Sequence, residues 1–224
     1  MKLYDVVTRG IFLSRVNRFI AEVSVNGQTE RVHVKNTGRL KELLREGTEV
    51  YLAAGTNPAR KTAWDLVAAN KDGLLFNADS YAPNLTAGEW LKQRFDEVIP
   101  ERFFGDSRFD FAVKRGETNG FVEVKGVTLL ENGRALFPDA PTTRGKKHLE
   151  GLILAKKQGY FAAILFMIQC DAPCVFYPNE KTDPAFASAL REAQAAGVEI
   201  IALNCRVTPD SMTVKERIPV CLDW

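Results

Sequence analysis

One stretch constrains this chain more than any other: Arg108-Phe-Asp-Phe-Ala-Val-Lys-Arg-Gly-Glu-Thr-Asn-Gly-Phe-Val-Glu-Val-Lys125. It alternates apolar and polar residues on both sides of a glycine-containing turn, the pattern of an antiparallel hairpin. A two-residue turn at Gly116-Glu117 sets a register in which Ala112 faces Phe121, Asp110 faces Glu123 and Arg108 faces Lys125. Phe109, Phe111, Val113, Val122 and Val124 then share the other face, an apolar set suited to packing on a helix. The competing turn at Asn119-Gly120 shifts that register.

Two carboxylates opposed across a strand pair repel each other. A sheet that keeps them needs something between them, and a divalent cation that takes hard oxygen ligands, Mg²⁺ or Mn²⁺, meets that need. Lys125 lies on the same face as Glu123 and supplies positive charge. Asp110, Glu123 and Lys125 are therefore the candidate catalytic residues, and metal-assisted phosphodiester hydrolysis is the candidate chemistry. The plain alternative for Glu123 and Lys125 is a solvated strand face. Glu89 is either a third metal ligand beside Asp110 and Glu123, or the capping-box glutamate of Thr86-Ala87-Gly88-Glu89 at the start of a helix.

The first part of the chain reads mainly as strands, at residues 6–13, 19–25, 29–35, 50–53 and 64–69. Asn26-Gly27 is a strong hairpin turn. Residues 36–45 read as a short helix between the third and fourth strands. That order matches a five-stranded OB-type barrel. A linker is expected at residues 77–83, dividing the chain into domains 1–80 and 81–224. Beyond it lie the capped helix carrying Trp90, Leu91, Arg94 and Phe95, the two strands of the hairpin, and a strand at 134–137. Thr142 or Thr143 caps a helix that runs to about Gln158. A buried strand follows at 160–168, a helix with Asp183 as N-cap at 184–196, and a strand at 198–203. The fold class is α/β (α+β): a barrel followed by a mixed sheet flanked by helices.

Cationic side chains gather in two places. Arg31, His33 and Lys35 alternate with Val32 and Val34, so the three share one face of a strand, with Asn36 and Arg39 just beyond. Arg144, Lys146, Lys147 and His148 sit at a helix start, where backbone N–H groups also favour phosphate. Arg144, Lys147 and His148 are spaced to share a face away from Leu149, Leu152 and Ile153. Solvated edges are the plain alternative for both groups.

Lys plus Arg number 30 and Asp plus Glu 28, a net charge of +2. A strongly basic histone-like binder is excluded, and any nucleic-acid surface must be local. The longest apolar run, residues 160–168, is far short of the roughly 20 residues that span a bilayer. Asp5 and Arg9 interrupt the place of a secretory apolar core. The four cysteines form no C-x-x-C pair, which suits reduced thiols in the cytoplasm. No membrane partner is expected. No G-x-S-x-G context supports a serine hydrolase.

His33-Val-Lys-Asn-Thr-Gly-Arg-Leu40, Phe121-Val-Glu-Val-Lys-Gly-Val-Thr128, Phe137-Pro-Asp-Ala-Pro-Thr-Thr-Arg-Gly-Lys-Lys-His-Leu149 and Gly197-Val-Glu199 together resemble the bacterial sugar fermentation stimulation protein A family. The resemblance covers nearly the whole chain. It implies an OB-like domain joined to a restriction-endonuclease-like domain, DNA binding without sequence specificity, and a role in regulating sugar (maltose) metabolism. By the PD-(D/E)xK pattern of such nucleases, Asp110, Glu123 and Lys125 match the motif Asp, Glu and Lys, with Arg108-Phe-Asp110 in place of Pro-Asp. The partner implied is DNA, gripped mainly through phosphates, and a homodimer is compatible with this reading. A metal-dependent deoxyribonuclease and a non-catalytic transcriptional regulator remain alternatives, because a fold does not establish an activity.

Overall fold

The computed structural model describes residues 1–36, 38–55, 59–172 and 174–223. Its first six strands are β1 (Val7–Arg15), β2 (Ile20–Val25), β3 (Gln28–Val34), β4 (Glu49–Ala54), β5 (Trp64–Lys71) and β6 (Leu74–Asn77). They follow the order β3-β2-β1-β4-β5-β6, and a parallel β3–β5 contact at His33↔Asp65 and Val34↔Leu66 closes the first five into the expected OB-like barrel. Asn26 and Gly27 both have positive φ, at 51° and 81°, which matches the twist a two-residue hairpin turn requires. Val32 and Val34 point inward and are buried.

The helix expected at residues 36–45 does not form. The guanidinium of Arg15 donates to the carbonyl oxygens of Asn36, Gly38 and Arg39 at 3.0, 2.9 and 2.6 Å. Those carbonyls are thereby withdrawn from helical pairing. Leu40 takes a positive φ of 48°, and only the turn from Leu40 to Leu44 closes, sending Leu40, Leu43 and Leu44 into the barrel core. Thr37 lies outside the described residues.

The second half begins with α1 (Ala82–Lys92), followed by β7 (Glu97–Phe104), β8 (Ser107–Arg115), β9 (Thr118–Val127), β10 (Leu129–Glu131) and β11 (Arg134–Phe137). Then come α2 (Thr143–Lys157), β12 (Phe161–Ile168), β13 (Val175–Pro178), α3 (Pro184–Ala195), β14 (Glu199–Thr208) and β15 (Ser211–Ile218). The main sheet runs β15-β14-β12-β9-β8-β7, parallel at its centre and antiparallel at both edges; β10, β11 and β13 form a small second sheet. The sequence pattern does not predict β6, β7, β13 or β15.

The capping box expected at residues 86–89 is absent, because α1 starts earlier. Pro83 occupies its first turn, where a missing N–H costs nothing. Thr86 is mid-helix and buried, its hydroxyl donating to the Met212 carbonyl at 3.4 Å. The expected linker is likewise structured: it contains the end of β6 and the start of α1. Thr142 does cap α2, accepting from the Gly145 N–H. Asp183 caps α3 with one oxygen and accepts the Thr142 N–H with the other, tying the two helix starts together.

α2 and α3 cover one face of the main sheet. A continuous apolar core runs from Val23, Leu52 and Leu66 in the barrel through Phe76 and Cys170 to Leu149, Phe166 and Phe186. α1 covers the other face, its Leu91 packing with Phe111, Val122, Leu165 and Leu203 of the strands. Among the described residues no helix is long and apolar enough to cross a membrane.

Candidate metal centre

The hairpin keeps the expected register near its turn: Ala112 pairs with Phe121 and Lys114 with Asn119. Gly116 has a positive φ of 57°, which a glycine adopts without steric cost and which places the turn where expected. The ladder then stops at Phe111↔Val122. Beyond that point neither expected pair, Asp110–Glu123 or Arg108–Lys125, is made; each strand keeps only its outer partner, Arg108 with Phe103 on β7 and Lys125 with Phe166 on β12. The strands part at the two carboxylates.

This parting changes which faces the side chains use. Phe111, Val113, Val122 and Val124 pack under α1 as expected. Phe109 does not. It is fully buried on the α2 side, tilted against Phe121 and edge-on to His148. The strand twists between Phe109 and Phe111, and Asp110 sits at the twist. One Asp110 oxygen accepts from Asn84 of α1 at 2.8 Å, and the other from the Val124 N–H at 2.7 Å. Glu123 is instead reached from α2. Its Oε1 accepts from His148 Nδ1 and Lys125 Nζ, while its Oε2 is buried with no hydrogen-bond partner. The carboxylates therefore do not face each other on one surface. Asp110 is reached from α1 and Glu123 from α2, just past the point where the β8–β9 ladder ends.

The electrostatics follow from that placement. Burial and then the Glu123 charge raise the Asp110 carboxyl above its ordinary range. Burial alone would also raise Glu123, but the His148 hydrogen bond and the Lys125 charge outweigh it and hold its carboxyl low. Arg144 Nε donates to His148 Nε2 at 3.4 Å, which leaves the proton on Nδ1 to be given to Glu123. The α2 helix thus fixes the tautomer that serves the acid.

Two acidic oxygen donors with one orphaned, desolvated oxygen fit a hard divalent cation. Asp110 and Glu123 would hold it. Among the described residues no group of three or more His, Cys, Asp and Glu side chains is arranged to hold a metal. Glu89 does not belong to the group. It is exposed on α1 and paired with Lys92 at 2.8 Å.

The cationic residues divide. His148 is 5% exposed, so it faces the acid rather than solvent. Its neighbours at one helical turn, Gly145 and Leu152, are buried too, a spacing the sequence contains. Arg144, Lys146 and Lys147 stay exposed, with Lys146 only loosely paired to Glu150 at 3.8 Å. On the barrel, His33 is bonded to Asp65 at 2.9 Å and Lys35 to Asp79 at 2.8 Å; Arg31 lies 3.6 Å from Glu22. Asn36 holds its own loop, donating to the Ala78 carbonyl and accepting the Gly38 N–H. Arg39 is exposed. No local sequence pattern marks Asn84 as part of the site.

Two family models match the chain. One, described as the sugar fermentation stimulation protein RE domain, covers residues 81–211; the other, the SfsA N-terminal OB domain, covers residues 13–77. The chain belongs to the sugar fermentation stimulation protein family. A homolog from Clostridium perfringens is 46% identical, over 99% of this chain and all of that one. Another from Desulfitobacterium hafniense is 47% identical over 98% of each. Among solved structures, Pyrococcus furiosus SfsA in complex with Ca²⁺ is similar, with a TM-score of 0.87 and 31% identity over 98% of this chain and 99% of that one. Membership accounts for the pairing of an OB-like barrel with a helix-flanked mixed sheet.

Proposed function

We propose that this family member binds DNA through phosphate contacts without sequence preference, and that its Asp110–Glu123–Lys125 site is a divalent-metal phosphodiesterase centre. The observation that carries the reading is the buried, unpartnered Oε2 of Glu123 beside Asp110. Leaving a charged oxygen dry and unbonded costs several kcal/mol unless something compensates. A cation bound there supplies Lewis-acid polarisation of a phosphate. The chain supplies the rest: Asn84 and the Val124 N–H orient Asp110, His148 orients Glu123, and Lys125 places positive charge where phosphoryl charge develops. The Ca²⁺ in the Pyrococcus furiosus relative supports a divalent cation, and Mg²⁺ or Mn²⁺ is the working metal proposed here. A cytoplasmic setting and a part in controlling sugar metabolism complete the proposal.

The test compares wild type with Asp110→Ala on single-stranded, double-stranded and branched DNA, with Mg²⁺, Mn²⁺ or EDTA. Cleavage by wild type alone, abolished by EDTA, is the expected result. If every substrate stays intact with both proteins, the hydrolytic reading fails.

The second reading, a binder without catalysis, is favoured by the exposed Arg144, Lys146 and Lys147 at the start of α2. Phosphate contacts release counterions, so log affinity should fall linearly with log salt. Lys147→Ala should weaken binding equally across sequences. Salt-independent affinity removes the phosphate-binding claim.

A further inference from the structure

We infer that Tyr81 is a stacking platform for an unpaired nucleobase of the strand whose phosphate enters the Asp110–Glu123 site, which makes single-stranded or frayed nucleic acid the substrate class. This rests on the function proposed above and narrows it.

Tyr81 is 67% exposed although the backbone that carries it is pinned. Its N–H donates at 2.9 Å to Asp79 Oδ1, a carboxylate that is itself 2% exposed. Its carbonyl accepts from the Leu85 N–H, the first turn of α1. The ring is therefore displayed from a rigid base. Its position ties it to the site. Asn84, three residues on and so on the neighbouring part of the same helix face, holds Asp110. Leu85, 53% exposed, extends the apolar patch by one turn.

Charge identifies the occupant. Lys35 Nζ lies 5.8 Å from the Tyr81 ring centroid and is anchored to Asp79 at 2.8 Å. Lys35 directly follows β3, which carries Arg31 and His33, so a barrel cation and the aromatic ring lie side by side, one helical turn from the Asn84 that holds Asp110. A fixed aromatic face beside a fixed cation suits a base and its phosphate together. A paired duplex hides its base faces and offers this surface phosphates only, so the ring has a function only toward an unpaired strand.

Fluorescence anisotropy in EDTA, with the full chain, tests this against a labelled oligo-dT strand and a labelled duplex of equal length. Tyr81→Ala and Tyr81→Leu are expected to lose about tenfold in single-strand affinity, the effect of removing one stacked base. Tyr81→Phe should stay within about twofold, and duplex affinity should be the same for all four proteins. Full single-strand affinity in Tyr81→Leu, or an equal loss on the duplex, overturns the inference while leaving the proposed DNA binding intact. Wild type binding neither probe overturns both.

Discussion

His148 shows how one side chain decides what its neighbour can do. Glu123 stays charged while buried because His148 and Lys125 both donate to one of its oxygens, and the other oxygen is left without a hydrogen-bond partner. A charge-assisted bond of this kind contributes roughly 2 kcal/mol. His148→Ala should therefore destabilise the protein by about that amount in urea denaturation, with Phe109 losing its edge contact as well. His148→Gln, which keeps a donor, should recover part of the loss. An unchanged midpoint for the alanine variant would show that Glu123 does not need this partner. Spacing alone pointed the histidine outward with Arg144 and Lys147. Its one-turn neighbours Gly145 and Leu152 give the opposite answer, and the buried acid that draws it inward comes from a strand some 25 positions earlier in the chain.

At the level of elements, glycine marks where two strands come closest. A methyl group at Gly120 would lie 2.5 Å from the Phe161 carbonyl oxygen and 2.6 Å from its Cβ. Those are backbone-proximal atoms of β12 that have no room to move. Gly120→Ala should cost about 2–3 kcal/mol through forced separation of β9 and β12. A thermal melt within error of wild type would show that the sheet yields more easily than its geometry implies. The turn and register of this hairpin were legible because alternation and the turn glycine are local properties. Strand β7 was not: Pro100 interrupts its pattern, and the strand survives only as an edge, where a missing N–H is tolerated. The false helix at 36–45 had the right residues for helix formation but lost its carbonyls to Arg15, whose reach across the barrel no window of the sequence contains.

For the molecule as a whole, the core does not stop at the boundary expected near residue 80. It continues from the barrel through Phe76 and Cys170 to the α2–α3 face. Gln169 Nε2 donates to the carbonyls of Asn77 and Asp79 at 3.0 and 3.3 Å, and Asp79 in turn receives Tyr4 and Lys35. Shared burial of this kind couples the two halves, so urea unfolding followed by tryptophan fluorescence and by circular dichroism should give one coincident transition. Gln169→Ala, which strands buried carbonyls, should lower that transition by about 1–3 kcal/mol without splitting it. Two separated transitions in the wild type would show that barrel and sheet fold independently.

What the sequence by itself determined is the set of short-range consequences: the barrel strands, the hairpin turns, and the caps of α2 and α3. Each depends on periodicity or on spacing over a few positions. What only the tertiary structure decided is how the carboxylates meet. The β8–β9 ladder ends before Asp110 and Glu123 can pair, Asn84 of α1 takes Asp110, and His148 of α2 takes Glu123. The reason is physical: where strands part and which helix reaches the opening depend on long-range packing against α1 and α2, and that information is spread over the chain rather than written beside the residues it positions.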